Sequence, residues 1–239
     1  MKVVLLEHTQ NPEKVCAVAA LTSMKEGTPS DMLSEIDTDN AKKRIQRVVG
    51  YGHYSVIEHA SFTFSIEGIS RACSHQLVRH RIASFTQQSQ RYVKMEDVPF
   101  VTPPSIKNNK TAEDIFNKSL NNNTESYKKL LELGIAPEDA RFVLPNAIKT
   151  NLVMTMNARE LLHFFNLRCC NRAQWEIRDM AWEMLYQVLE VSPALFETSG
   201  PKCIGEGICT EGKASCGCYK LFEGKNIDER RIIVKEFFK

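Results

Sequence analysis

Apolar and polar positions change rhythm several times along the chain, and each rhythm names an element. VVLLE, beginning at Val3, is a short apolar run with β-branched residues and predicts a strand. A helix is expected from about Pro12 to Lys25, with Asn11 placed to cap it and Pro12 suited to the first helical position, where a missing N–H is tolerated. Another is expected from Asp39 to Val49. GYGH breaks that pattern, and ASFTFSIEG then alternates Phe62, Phe64 and Ile66 against Thr63, Ser65 and Glu67, the period of a strand with one buried face.

Pro99, Pro103 and Pro104 predict a rigid connection, after which Thr111 to Leu133 reads as a long polar helix ended by Gly134. Pro137 opens a short helix that Pro145 stops, and AIKTNLVMTM reads as a second strand. Asn157 is placed to cap the next helix, with Glu160 three residues on in the capping-box arrangement. The following segment carries Ile177, Ala181, Met184, Val188 and Val191 on one helical stripe. Interleaved strands and helices put the chain in the α/β or α+β class.

The composition is ordinary for a globular protein: 239 residues, 43% apolar, 25% charged, formal net charge +2. So small a net charge argues against a protein that coats nucleic acid or membrane. There is no run of about 18 apolar residues, and the opening apolar stretch is too short for a signal-peptide core, so a cytoplasmic protein is expected. In that compartment the eight cysteines are thiols or metal ligands rather than a disulfide framework. Cys203, Cys209, Cys216 and Cys218 crowd into sixteen residues, in a stretch from Gly200 to Cys218 that also holds five of the eleven glycines. A packed core element is not expected there, and a boundary is placed near Thr198, giving a domain over 1–198 and a Cys/Gly-rich extension over 199–239. The cysteine gaps of five, six and one residues fit no CxxC zinc signature, so a metal knuckle, a disulfide and plain thiols all stay open.

The charge is distributed unevenly. From Gly68 through Met95 there are four arginines, one lysine and two histidines, and no Asp or Glu. Arg79, His80 and Arg81 cannot all face one way on a helix or strand, so the triplet offers donors to two surfaces. A guanidinium fork matches phosphate oxygens, and Ser84, Ser89 and Gln90 add neutral donors. The plainer alternative is a solvated basic loop, or ion pairs to carboxylates far along the chain. A nucleic-acid module would need aromatics for stacking, and only Phe85 and Tyr92 lie within RHRIASFTQQSQRY.

The spacing R-H-R, seven residues, S-x-R, met by Arg79, His80, Arg81, Ser89 and Arg91, resembles the signature of the flavin-dependent thymidylate synthases. GHYSVIEHASFTF, ARFVLP and MNARELLHFFNLRCCNRAQWEIR resemble three further stretches of that family, in order, over roughly residues 40–192. The resemblance implies a central, mostly antiparallel sheet flanked by helices, the thymidylate synthase-complementing protein fold. It implies reductive methylation of dUMP to dTMP with methylenetetrahydrofolate as carbon donor, FAD as cofactor and NADPH as reductant, in a homotetramer whose active sites lie where subunits meet. No GxGxxG loop follows a strand, in keeping with a flavin held in that way. Cys73, in RACSH, lacks the motif that surrounds the cysteine nucleophile of the classical, unrelated thymidylate synthases, so a covalent cysteine is not expected.

By the same resemblance Ser55, Arg79, His80, Arg81, Gln87, Asn157, Arg159 and His163 serve FAD. Gln76, Leu77, Val78, Arg79, Gln87, Gln88, Ser89, Gln90, Arg91, Arg141 and Arg168 serve dUMP. Arg168, Ser89 and His53 are the implied catalytic residues, His53 beside the isoalloxazine and its folate. Arg159 and His163 share a helical face, whereas Arg168 projects about 180° away at roughly 100° per residue, so one helix is expected to serve two ligands. His53 and His59 flank Glu58, but the HEXXH order of a zinc site is absent and no metal is expected; Glu58 is left to orient a histidine, contact the cofactor region or serve structure. Thr86-Gln87 stands where many relatives carry Asn-Glu, and His163 where relatives can have asparagine.

Overall fold

In the computed structural model the described residues are 1–93, 98–205, 207–222, 224–226, 229, 232 and 233. Strand β1 spans Lys2–His8, and α1, Pro12–Thr22, opens on its proline as expected. Asn11 does not cap it: its side chain makes no cap hydrogen bond, and its backbone is left-handed at φ 49°. Asparagine is tolerated there because its small polar side chain accepts the left-handed well, so it acts as the turn between strand and helix. Helix α2, Pro29–Glu35, carries too little apolar period to be foreseen, yet the Thr28 side chain caps it at Asp31 N–H. Helix α3, Thr38–Gly50, is capped by Asp37 at Asn40 N–H.

Strand β2, Ser61–Ser70, buries Phe62, Phe64 and Ile66 completely, as the alternation predicts. The basic segment is more structured than its composition suggests. It contains α4, Arg71–Leu77, capped by the Ser70 hydroxyl, and β3, Ala83–Gln87. Lys94 and Met95, at its far end, lie outside the described residues. Helices α5 (Pro104–Lys107), α6 (Lys110–Glu132) and α7 (Pro137–Ala140) follow, with Gly134 at φ 81° ending the long helix and a 3₁₀ turn, Arg141–Val143, after α7. Strand β4 is Lys149–Asn157 and runs into α8, Ala158–Arg168, where Asn157 Oδ1 accepts the Glu160 N–H. Helix α9, Trp175–Val191, buries Ile177, Ala181, Met184 and Val188. Short helices α10 (Pro193–Phe196) and α11 (Lys202–Gly205) close the set.

The strands form one open sheet in the order β1-β2-β4-β3. Thr9 N–H donates to Ser61 C=O, joining the end of β1 to the start of β2. Thr63 bonds Thr155 while Gly68 N–H reaches Asn151, so β2 and β4 run antiparallel.

The chain packs as two compact units: Met1–Lys2, Ile66–Arg79 and Phe85–Val153 form the first, and Val3–Ser65, His80–Ser84 and Met154–Lys239 the second. The first is built on Ile66, Ile69, Leu77, Leu120, Tyr127 and Ile148. The second has an aromatic core in which Phe196 meets Phe62 and Phe165 edge to face, at 5.3 and 6.0 Å between ring centres. The extension was not expected to pack, but its Ile204, Cys218 and Phe222 are buried together against Trp182 of α9, with Cys203 and Cys216 beside them. Thr198 and Gly205 fix how closely the chain folds back: a Cβ at Gly205 would come within 2.4 Å of the Thr198 carbonyl oxygen, so only glycine fits.

Candidate active site

In the first unit the acid-free stretch supplies a cationic cleft. Arg71, at the start of α4, donates from Nη2 to the Gln88 carbonyl at 2.9 Å, while its buried Nε has no hydrogen-bond partner. Burial, and then the like charge of Arg141, draw the Arg71 guanidinium below its ordinary pKa. Arg71, Gln88, Ser89, Gln90, Lys149 and Thr150 line a cleft of about 10 Å³, room for roughly one water. Arg91 is held from two sides: its N–H donates to Ser89 Oγ at 3.2 Å and its Nε to the Glu138 carboxylate at 2.8 Å. Glu138 also accepts Arg141 Nε through its backbone carbonyl, at 2.9 Å.

Of the residues named from sequence, Gln88, Ser89, Gln90, Arg91 and Arg141 therefore belong to one cationic neighbourhood, to which the structure adds Arg71 and Lys149. Arg71 stood inside the same acid-free segment, which is the signal that could have found it. Gln87 turns inward: its Nε2 donates to Ser74 Oγ at 3.0 Å and to Thr150 Oγ1 at 3.1 Å. Gln76 donates back to the Ala72 carbonyl at 3.4 Å. Leu77 is fully buried and has only backbone to offer, whereas Val78 and Arg79 are exposed. Among the described residues Arg79 makes no ion pair.

The second unit holds a different kind of site. His80 and Glu160 are only 5% and 7% exposed. His80 Nδ1 lies 3.0 Å from Glu160 Oε1, and Arg168 Nε donates to His80 Nε2 at 3.1 Å. His163 and Phe164 set their rings edge-on to the imidazole, at 5.8 and 5.0 Å. Burial lowers the His80 pKa below its ordinary value; the Glu160 hydrogen bond opposes this and the Arg168 charge adds to it. Arg168 and His163 thus both approach His80, whose buried ring sits against α8 where both side chains can reach it.

Beside this cluster runs a groove of about 830 Å³ whose lining includes Gln46, Tyr54, Arg159, His163, Asn166 and Lys202. Its size is that of a cofactor site, and its cations and amides suit a pyrophosphate-bearing ligand such as a flavin dinucleotide. Glu58 pairs with Arg159, one of the residues that line the groove. His53 and Ser55 are exposed at and just before the 3₁₀ turn Tyr54–His59, and Arg81 is exposed as well. Asn157 is committed to its capping bond.

Among the described residues the one set of three metal-ligating side chains whose donor atoms lie within 4.8 Å of one another is His80, Glu160 and His163. Both nitrogens of His80 are already engaged, and a guanidinium abuts the ring, so the cluster is arranged for hydrogen bonding to a cation rather than for coordinating one. The tail cysteines form no such set among the described residues. All eight cysteines are free thiols, and burial pushes Cys203 and Cys218 up to about 12.

Comparisons with known proteins agree with this geometry. The family model described as thymidylate synthase complementing protein matches residues 4–194. A flavin-dependent thymidylate synthase of Geobacter sulfurreducens is 48% identical over 219 residues, covering 91% of this chain and 94% of that protein. One from Clostridium tetani is 46% identical, covering 95% and 96%. The crystal structure of the Helicobacter pylori flavin-dependent thymidylate synthase complexed with FAD and dUMP superimposes with a TM-score of 0.67 at 28% identity, over 84% of this chain and 100% of that one.

Proposed function

The chain belongs to the thymidylate synthase complementing protein family, and from that membership we propose that it methylates dUMP to dTMP in a flavin-dependent reaction. The observation that carries the reading to particular residues is the cationic cleft of the first unit. There burial, and then the nearby charge of Arg141, disfavour the charged Arg71 guanidinium, a cost that a phosphate dianion at the mouth of the cleft would offset. Ser89 and Gln90 add neutral donors at the same cleft, and Arg91 stands ready at its edge.

FAD is assigned to the groove of the second unit, where Arg159, His163, Asn166 and Lys202 would hold it. When bound and reduced by NADPH, it supplies the reducing equivalents that turn the one-carbon unit of methylenetetrahydrofolate into a methyl group. The chain's own contribution is to position and to polarise. Arg168 keeps its charge at any relevant pH, so a guanidinium beside the uracil ring stabilises the negative charge that develops on the activated pyrimidine. His53, exposed at the entrance to its turn, is assigned to the folate side. The exposed Arg79 and Arg81 suit a site completed by another copy of the chain, which supports the homotetramer the family resemblance implies. No helix among the described residues is long and apolar enough to cross a membrane, in keeping with a cytoplasmic enzyme of nucleotide synthesis.

The test is anaerobic reconstitution with FAD, NADPH, methylenetetrahydrofolate and dUMP, with dTMP and tetrahydrofolate measured by chromatography. Formation of both in equal amounts is expected. A protein that takes up no flavin and forms no dTMP would refute the assignment.

A further inference from the structure

Glu160 first reads as a helix-capping residue, because it stands three positions after Asn157 in the capping-box arrangement. Only half of that box is built. The Asn157 side chain accepts the Glu160 N–H, but the Glu160 carboxylate turns inward to His80, 80 residues away in sequence. A carboxylate only 7% exposed, with a structural duty available to it one turn away, is instead spent on a buried imidazole.

The hydrogen-bond directions follow from chemistry. An arginine Nε always carries its hydrogen, so the His80 Nε2 that receives it must present a lone pair. An imidazolium has no lone pair, and it would bring a second positive charge against the guanidinium. The ring is therefore neutral with its one proton on Nδ1, and Glu160 Oε1 is the acceptor for that proton. His163 and Phe164 pack edge-on against the ring and hold its plane.

We propose that Glu160 is a positioning residue which, by accepting the His80 Nδ1 proton, fixes the ring tautomer that holds Arg168 by its Nε edge. Without that acceptor the buried Nδ1–H has no partner, so the Nδ1 tautomer and the ring plane are held by the Arg168 contact alone. The ring is then free to turn or to exchange its proton between the two nitrogens, and the bond that holds the guanidinium by its Nε edge is weakened. The effect on turnover rests on the reading that Arg168 works on the nucleotide; the effect on the tautomer does not.

The test combines magic-angle-spinning 15N spectra of histidine-labelled protein, with His80 assigned by its loss in His80→Gln, and steady-state kinetics. In the unsubstituted protein at neutral pH the His80 ring should be neutral and protonated on Nδ1. A ring protonated on Nε2, or on both nitrogens, overturns the proposal without recourse to any variant. Glu160→Gln keeps an acceptor oxygen and should keep both the tautomer and turnover within about threefold. Glu160→Leu should leave His80 without a single fixed Nδ1 tautomer and lower kcat by about tenfold or more, with flavin content and the KM for dUMP little changed. Retention of the Nδ1 tautomer and of kcat in Glu160→Leu contradicts the positioning role, as does a Gln variant as impaired as Leu. If Arg168→Ala turns over normally while the tautomer behaves as stated, it is the reading of Arg168 that fails and not the His80–Glu160 linkage.

Discussion

The cationic cleft of the first unit and the imidazole cluster of the second use the same residue types in opposite ways. In the cleft, Arg71, Arg91 and Arg141 are gathered, and the Glu138 side chain pairs with Arg91 while its backbone carbonyl accepts from Arg141. Positive charge is left over there. In the cluster, His80 is matched at both nitrogens and shielded by two aromatic rings, so nothing is left over. The first arrangement suits an anion, and the second suits holding a cationic side chain.

The strongest way to break this contrast is to remove the cation that the cluster holds. Arg168→Ala should lower turnover about a hundredfold, the loss of about 3 kcal/mol of transition-state stabilisation, while flavin content and thermal stability change little. Arg168→Lys should recover little of it, because an ammonium has no planar fork and no Nε edge for His80. Near-native turnover of the alanine variant with flavin bound would show that the cluster holds its arginine for structure alone.

The cysteines of the extension sharpen the same point, because they lie off the groove that its Lys202 lines. Replacing Cys203, Cys209, Cys216 and Cys218 together by serine should preserve flavin binding and most dTMP synthesis, since none of the four lines the groove. Stability should fall by about 1–3 kcal/mol, because Cys218 is buried against Ile204 and Phe222 and a hydroxyl there needs a partner. Loss of flavin together with activity would make these cysteines part of the site. With their thiols pushed up to about 12, Cys203 and Cys218 should also alkylate more slowly than free cysteine near neutral pH, as peptide mapping after limited iodoacetamide treatment can measure.

The smallest effect concerns pH. Burial lowers the His80 pKa in the folded chain, so the unfolded chain binds a proton that the folded one refuses. Stability from this group is fully present above the unfolded value of about 6.5 and declines as pH falls below it, toward the lowered folded value. Urea midpoints measured from about pH 7.5 down to pH 5.5 should show that decline in the unsubstituted protein and a shallower one in His80→Gln. Equal slopes would mean that another group carries the acid sensitivity.

How much of this was legible in the sequence follows from the range of each interaction. The alternation of Phe62, Phe64 and Ile66 and the stripe on α9 are local periodicities, and both appear as buried faces. The Asn157 cap is local as well, and it forms. Asn11 failed as a cap because residue preference at a helix start does not say whether the backbone arrives extended or left-handed. The absence of acids around the R-H-R triplet was true of the sequence and misleading about space, since Glu160 and Glu138 come from 80 and 47 residues away. The motif spacing identified the family but not the division of labour within it. Gln87 and Leu77, ligand residues by the family resemblance, point into the first unit's interior.

On this reading the phosphate of the nucleotide and the flavin are gripped by different units of one chain. Calorimetric titration of dUMP into flavin-loaded Arg141→Ala and Arg159→Ala proteins, with flavin content read from the absorption spectrum, tests it most directly. Loss of one charge-assisted contact to phosphate costs about 1.5–3 kcal/mol, so Arg141→Ala should weaken dUMP binding at least tenfold with its flavin retained. Arg159→Ala should instead lower flavin retention. An Arg141→Ala protein that binds dUMP as tightly as the unsubstituted one, or that sheds its flavin, would contradict the account.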